Sequence, residues 1–280
     1  MWAEAERRKR QLEGGANRAV RVADAVSDFM SDAERRGLGW ETLRKYQRIL
    51  ADLVAYAATL GISRVDGFSV DDLRRFAASR GRAVSTGRVE LERLSSFFKF
   101  CEGSGWVKRN PVAQIKRPVV KQQPTEPFSN EEMVKILAAA SDPRDRAFLL
   151  VGRYSGLRIS DVATLGIGRI DGEGRLLLYT QKTGQPVHLP LPEPVVRSLR
   201  SMRQVSDHFF FWTGDSRPDG VARSWSNRLR KVFDASGVKR AHFHRLRDTF
   251  AVELLLKGTP IEEVAILLGH SSIRVTEKHY

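Results

Sequence analysis

Apolar residues in the first part of the chain recur every three or four positions, as they do in helices that bury one face. Gly61 is placed to end one such helix, and Ser69 with Asp72 three residues later forms a capping-box pattern at the start of another. The periodicity predicts an all-helical domain over 18–110. Its four helices are expected at about 22–36, 43–60, 69–79 and 85–102.

A proline-rich segment separates this region from the rest of the chain. Residues 111–127 have no usable apolar periodicity. Four prolines lie in the segment: Pro111, Pro118, Pro124 and Pro127. Because proline removes a backbone donor and fixes the backbone angle, this composition predicts an extended linker. A second domain is therefore expected over 128–280.

The second part combines helical periodicity with one short stretch of strand pattern. Ser129 and Glu132 form a capping-box pattern before its first helix. Between Arg169 and Leu191, the runs RLLLYT and PVHLPL flank QKTGQ, which suits a tight reversal. Further helices are predicted at 142–156, at 221–236, and from about 242 and 260 onward. The expected fold is mainly α with a small antiparallel β-hairpin.

The charge balance of the chain indicates what kind of partner it binds. Lys and Arg number 47 against 33 Asp and Glu, a formal net charge of +14. Residues 1–127 hold 24 basic and 16 acidic residues, and the remainder holds 23 and 17, so both parts are basic, by +8 and +6. This distribution predicts a polyanionic partner such as nucleic acid, although charge alone also fits a merely soluble basic protein.

The cysteine content and the hydropathy of the chain limit the cellular compartments in which the protein is expected. Cys101 is the only cysteine, so an intramolecular disulfide and a cysteine-based zinc site are excluded. No apolar run approaches the ~20 residues that span a bilayer, and the first residues lack the apolar segment of a signal peptide. We expect a cytoplasmic protein with no membrane association.

Four short motifs in the second part carry candidate chemistry. HRLRDTFA places His244 and Arg247 on one face of a helix, a pair that by itself is more often a surface pair than a site. LLGH delivers His270 at a helix end, and Tyr280 follows ten residues later. Upstream, GLRIS places Arg158 between two helices, with Ser160 expected to cap the second.

GLRIS, HRLRDTFA, LLGH and Tyr280, in this order, resemble the tyrosine recombinases, the integrases of the phage and chromosome-dimer-resolving kind. The resemblance implies that 18–110 is a four-helix, SAM-like core-binding domain and that 128–280 is the catalytic domain. It also implies site-specific cleavage and rejoining of double-stranded DNA through a 3′-phosphotyrosine link, by protomers assembled as a tetramer on DNA.

The resemblance assigns a role to each motif residue. Arg158 and Arg247 would hold the scissile phosphate, with His244 and His270 lining it. Tyrosine has an unperturbed pKa near 10 and is a weak nucleophile until its proton is removed. The implied catalytic residues are Arg158, Lys182, His244, Arg247, His270 and Tyr280. Since arginines would supply the positive charge, neither a metal nor a small-molecule cofactor is expected.

Two of these residues are candidates for proton transfer. His244 is the candidate general base for Tyr280. Lys182, in the QKTG turn, would reach the minor groove beside the cleavage point and protonate the departing 5′ oxygen. Asp161 matches an acidic position thought to support the arginine and histidine, and it equally fits a first-turn acid favoured by the helix dipole.

The chain departs from the family pattern at two places. Asp248 stands where many members have a second histidine, a change expected to be tolerated because it lies outside the set above. Members usually continue beyond the tyrosine into a tail that packs on a neighbouring protomer, so the ending at Tyr280 is interpreted as a missing C-terminal tail.

Two alternatives to a recombinase stay open at this point. A type IB topoisomerase uses a similar residue set to relax DNA, although the short helical first domain and the compact size favour recombination. A DNA-binding accessory protein of mobile DNA that has lost catalysis is disfavoured because all six motif residues are present.

Overall fold

The computed structural model describes residues 19–120, 126–203 and 205–280. The chain divides into two compact units, Met1–Gln122 and Gln123–Tyr280. Each unit has a hydrophobic core of its own. The predicted mainly helical fold with a small antiparallel hairpin is confirmed.

Four helices form most of the described part of the first unit, since each buries one apolar face. Phe29, fully buried, meets Tyr46, Phe97 and Phe100 edge-on at ring distances of 5.1–5.6 Å. Burying a phenylalanine in this way stabilises a fold by about 1.5–3 kcal/mol. The helices are α1 (Val22–Arg35), α2 (Trp40–Thr59), α3 (Val70–Ser79) and α4 (Val84–Gly103).

The start of the segment predicted to be an extended linker is folded onto this unit. Pro111–Gln114 forms a 3₁₀ turn in which Val112 is buried. The Asn110 side chain accepts a hydrogen bond from the Val112 backbone N–H at 3.0 Å and donates to the Ser95 carbonyl at 3.0 Å. Asn110 followed by Pro111 is a cap residue before a proline, a pair that favours a helical turn. The prediction of an extended linker rested on the prolines and the missing apolar periodicity, and so it did not include this turn.

Seven helices and one hairpin, together with one five-residue helix, form the described part of the second unit. In the hairpin, Leu177 pairs with His188 and Tyr179 with Pro186, which leaves alternate residues buried beneath. The hairpin strands are β1 (Arg175–Tyr179) and β2 (Pro186–Pro190). The helices are α5 (Asn130–Ala139), α6 (Pro143–Ser155), α7 (Ile159–Ala163), α8 (Glu193–Ser201), α9 (Pro218–Ala235), α10 (Phe243–Leu256), α11 (Ile261–Leu267) and α12 (Ile273–His279).

Helix α6 lies in the core of the second unit and packs against α10. Gly152 permits this, since a Cβ there would lie 2.5 Å from the Phe243 ring. Phe148 stacks on Trp225 at 4.2 Å and meets Phe243 edge-on. Helix α6 is thereby held against the beginning of α10, the helix that carries His244 and Arg247.

Ser160 does not cap α7 as the sequence had predicted. The helix begins at Ile159, and Arg158 is the capping position, with an extended backbone and no side-chain cap bond. Ser160 lies inside the helix, where its carbonyl accepts from the Thr164 hydroxyl at 2.9 Å.

None of the helices in the described ranges is long and apolar enough to cross a membrane.

Candidate active site

Arg247, on α10, is the most buried of the motif arginines, with 2% of its surface exposed. Its Nη1 donates to the Gly156 carbonyl at 2.6 Å, and its Nη2 donates to the Leu268 carbonyl at 2.7 Å. These carbonyls end α6 and α11. One guanidinium therefore joins three segments of the second unit and is itself held in one orientation.

Arg158 and Asp161 lie at the start of α7 with polar atoms that have no partner. Among the described residues, Arg158 Nη1 and Asp161 Oδ2 are buried and accept or donate no hydrogen bond. The other carboxylate oxygen of Asp161 accepts from the Gln181 backbone N–H at 2.9 Å. Burial raises the pKa of Asp161, against that hydrogen bond and the nearby arginine charges. A guanidinium N–H left unpaired in a buried place is suited to an anion.

The charges of Arg158 and Arg247 also indicate a site for an anion. Desolvation, and then repulsion by Arg158, lowers the pKa of Arg247 to about 10, while Tyr280, Asp161 and Asp248 oppose the shift. Two like charges this close destabilise each other unless an anion lies between them. A bound phosphodiester would supply that anion.

His270 follows α11 and is fixed by α12. Its Nδ1 lies 2.7 Å from the hydroxyl of Thr276, a fully buried residue. Desolvation, with the charges of Arg247 and Arg158, lowers the pKa of His270 to about 4. The imidazole is therefore neutral at pH 7, and its Nε2 is the ring nitrogen available to a ligand.

Lys182 lies in the hairpin turn and is exposed, with no hydrogen bond or salt bridge to any residue that the structure describes. Both of its neighbours are anchored. Gln181 is bonded to Asp161 as above, and the Thr183 hydroxyl donates to the Gly269 carbonyl, just before His270, at 2.8 Å. The turn is thus tied to the arginine and histidine segments, while the lysine side chain points to solvent.

Tyr280 follows α12 and is half-buried. Its hydroxyl donates to Asp248 Oδ1 at 2.7 Å. Burial, and then the Asp248 carboxylate, raises the pKa of Tyr280. Asp248, which the sequence left outside the set of motif residues and where a change was expected to be tolerated, follows Arg247 on α10 and contacts the phenol directly.

His244 lies one turn before Asp248 on α10, with 61% of its side chain exposed. Its Nε2 is 3.8 Å from Asp248 Oδ1. Partial desolvation, with the charge of Arg247 adding to it, lowers the pKa of His244, and the carboxylate of Asp248 opposes this. His244 is thus a neutral imidazole at pH 7, at the rim of the cluster.

Five of the six predicted residues lie close enough for their charges to act on one another: Arg158, His244, Arg247, His270 and Tyr280. Lys182 makes no hydrogen bond or salt bridge to these five described residues. The sequence did not indicate that the carbonyls of Gly156 and Leu268 hold Arg247, or that Thr183 anchors the hairpin turn. In the described ranges, no group of three or more His, Cys, Asp or Glu side chains could hold a metal ion.

Comparisons with known proteins identify the family of the chain. A model of the phage integrase family matches residues 127–280. The tyrosine recombinase XerC of Alcanivorax borkumensis is 28% identical over 90% of this chain and 87% of its own length. XerD of Rhizobium meliloti is 26% identical over 91% and 88%.

Solved structures show a shared fold. A lambda integrase dimer bound to a COC′ core site has a TM-score of 0.76 at 18% identity, over 96% of this chain and 79% of that one. A lambda integrase tetramer bound to a Holliday junction has a TM-score of 0.72 at 18% identity, over 92% and 79%.

Proposed function

The chain belongs to the phage integrase family and is a tyrosine-type DNA recombinase, and we propose that the residues gathered around Arg247 are its cutting site. The resemblance to tyrosine recombinases inferred from the four motifs is thereby confirmed. The catalytic roles of the individual residues are proposals, and they rest on the geometry of the second unit.

One observation carries the assignment. A phenol and two guanidiniums share a partly buried place in which the arginine charges repel each other, and Arg158 Nη1 has no partner among the described residues. A phosphate oxygen would pair with that N–H and relieve the repulsion. Donors fixed before the substrate arrives stabilise the charge that grows in a pentacoordinate transition state, commonly by several kcal/mol per donor.

The reaction then follows from the groups present. Tyr280 Oη bonds to the phosphorus as the bond from phosphorus to the 5′ oxygen breaks, and the phenol proton passes to a neighbouring side chain that acts as general base. Lys182 gives a proton to the departing 5′ oxygen, and His270 Nε2 donates to a phosphate oxygen. The energy of the phosphodiester is kept in the 3′-phosphotyrosine bond, so a second strand can be joined in reverse.

Double-stranded DNA and further protomers are the proposed partners. The lambda integrase structures contain a dimer on a core site and a tetramer on a Holliday junction, both statements about that protein. Recombination needs four strand cuts, which four protomers of this chain would supply on two DNA duplexes. The basic charge of both parts of the chain supports DNA contact by each.

A covalent-capture experiment tests the proposal. The 280-residue chain is incubated with a library of duplexes that carry a randomised central segment and a nick, so that cleavage releases a short strand and cannot reverse. Denaturation-resistant protein–DNA adducts are isolated and sequenced. We expect adducts enriched for one sequence from the wild type and none from Tyr280→Phe; a wild-type protein that binds the library without forming any adduct would contradict it.

Two further assays distinguish a topoisomerase from a recombinase and test the role of Lys182. A type IB topoisomerase would also relax plasmids that lack the enriched sequence, whereas a site-specific recombinase would not. Replacing the bridging 5′ oxygen by sulfur tests Lys182, since a thiolate leaves without a proton. Lys182→Ala should cleave ordinary DNA slowly and the 5′-thio substrate at close to the wild-type rate.

A further inference from the structure

Asp248 is the group that the tyrosine hydroxyl contacts. It lies on α10 with 5% of its surface exposed, and its Oδ1 accepts from Tyr280 Oη at 2.7 Å. Among the described residues, this is the hydrogen bond that the phenol makes. A general base must lie within about 2.6–3.2 Å of the atom whose proton it takes, and the Asp248 carboxylate meets this condition.

His244, the expected base, does not meet it. No hydrogen bond joins His244 to Tyr280 in the described ranges, and its Nε2 lies 3.8 Å from the same carboxylate oxygen that the phenol uses. The imidazole is therefore near the same carboxylate oxygen but is not positioned by a hydrogen bond to take the tyrosine proton. Its exposed position suits it to contact a phosphate oxygen or to exchange protons with water.

We propose that Asp248 takes the proton of Tyr280 during cleavage and returns it during rejoining. This inference rests on the proposed function. In the cleavage step, Oη bonds to phosphorus, the bond from phosphorus to the 5′ oxygen breaks, the Oη proton moves to Asp248 Oδ1, and Lys182 protonates the 5′ oxygen. Rejoining reverses each transfer, so Asp248 in its acid form protonates the departing phenolate.

The surrounding charges favour this direction of transfer. Arg247 and His244 face Asp248 from its own helix, and Tyr280 faces it from the end of α12. On the proposed function, the Asp248 carboxylate lies beside the phosphodiester that Tyr280 attacks, and it would repel that anion increasingly as charge develops on phosphorus. Moving the proton onto Asp248 removes one negative charge at that moment. Protonating His244 would add the same positive charge, but in the described ranges the hydrogen bond of the phenol is to Asp248 and none joins it to His244.

Three substitutions and one control separate this role from a structural one. Asp248→Asn keeps the size and an accepting oxygen but cannot take the proton. Asp248→Ala leaves a space that formate can enter. His244→Gln removes the alternative base. Glu253→Gln is the control: it makes the same carboxylate-to-amide change on α10, where Glu253 pairs with Arg153 instead of the tyrosine.

Single-turnover cleavage of the nicked duplex selected above is measured with the full chain, together with DNA affinity and thermal unfolding. Asp248→Asn should cleave at least about 100-fold more slowly than wild type, the usual contribution of a general base, with DNA affinity changed little. Asp248→Ala should be equally slow and should be partly restored by formate but not by chloride at equal ionic strength. His244→Gln should lose less than Asp248→Asn, and Glu253→Gln should cleave normally.

Each other result has a definite meaning. Cleavage by Asp248→Asn within a few-fold of wild type, or faster, would overturn the inference while leaving the recombinase assignment intact, because the adduct would still form. Slow cleavage by Asp248→Ala that formate does not restore would assign Asp248 a purely structural role. No adduct from the wild type would overturn the proposed function and this inference together.

Discussion

Arg247 and Arg158 carry the same charge but differ in what they hold within the protein. Arg247 donates to the carbonyls of Gly156 and Leu268, whereas Arg158 Nη1 has no partner in the described part of the chain. Lysine has one compact ammonium and cannot span two carbonyls and a phosphate in the geometry of a guanidinium. Both arginines should matter for cleavage, but only one for stability.

We predict that Arg247→Lys and Arg158→Lys each slow adduct formation by about 10²–10³-fold, as the loss of one fixed donor to a transition state does. Arg247→Lys should also lower the free energy of unfolding by roughly 2 kcal/mol or more, because a buried carbonyl loses its partner. Arg158→Lys should change it by less than about 1 kcal/mol. Urea denaturation of both variants checks the difference, and equal losses would contradict the assigned contacts.

His270 gives a pH dependence with a definite sign. Its pKa in the folded protein is lowered to about 4, below the roughly 6.5 of an unfolded histidine. The unfolded chain therefore binds this proton first as pH falls. The contribution to stability is complete above about pH 6.5 and is lost progressively towards pH 4.

Replacing His270 by Gln should remove this dependence. The loss of stability between pH 7 and pH 4.5 should be smaller in His270→Gln than in wild type, by on the order of 1–2 kcal/mol, since water reaches part of the side chain. Urea midpoints at several pH values provide the measurement, with His188→Gln on the exposed hairpin face as the control for losing a histidine. Parallel curves for wild type and His270→Gln would contradict the half-buried, neutral imidazole.

At this scale, residue types were easier to predict than contacts. The motifs located Arg158, His270 and Tyr280, because these side chains have distinctive chemistry and a fixed order. The partners of Arg247 lie 91 and 21 residues away and are backbone carbonyls, which any residue has. The contact of Asp248 with Tyr280 likewise joins residues 32 positions apart. The motif alone did not indicate it, so the change to aspartate was expected to be tolerated.

At the scale of elements, the loop between α6 and α7 depends on Gly156. This residue has φ +62°, and a Cβ on it would lie 2.5 Å from the Phe250 ring and 3.0 Å from Leu268. Gly184, in the hairpin turn, has a similar φ of +65° but nothing within 4 Å of a Cβ. The two glycines thus separate backbone strain from crowding.

We predict that Gly156→Ala lowers the free energy of unfolding by about 2–4 kcal/mol, the sum of left-handed strain and overpacking. Gly184→Ala, which meets strain alone, should cost about 1 kcal/mol. Because the Gly156 carbonyl holds Arg247, Gly156→Ala should also slow adduct formation. Chemical denaturation and single-turnover cleavage check both parts, and equal costs at the two sites would contradict the close packing.

Element positions followed from periodicity wherever burial is one-sided. The four helices of the first unit and the hairpin were predicted within a few residues, since half-buried elements alternate apolar and polar positions. Pro111–Gln114 was not, because a single buried Val112 leaves no period to detect. The misplaced cap at Ser160 has a related cause: Arg158 holds the capping backbone conformation without a capping side chain.

At the scale of the whole molecule, positive charge is distributed over both parts of the chain, with +8 in residues 1–127 and +6 in the remainder. Each lysine or arginine that neutralises a phosphate releases a condensed counterion, so affinity for DNA falls steeply with salt. A protein that used the catalytic cluster alone would make few phosphate contacts and would show a shallow dependence. The number of phosphate contacts can therefore be measured from the slope of the logarithm of the DNA affinity against the logarithm of the salt concentration.

We predict a steep slope, equivalent to six or more phosphate contacts, with affinity for the selected duplex falling about 10³-fold or more between 50 and 200 mM salt. Fluorescence anisotropy with labelled duplex provides the measurement, and Tyr280→Phe allows binding to be followed without cleavage. Repeating the titration in glutamate instead of chloride tests whether anions compete for the protein. A slope equivalent to only two or three contacts would mean that the charge outside the catalytic cluster does not meet the DNA backbone.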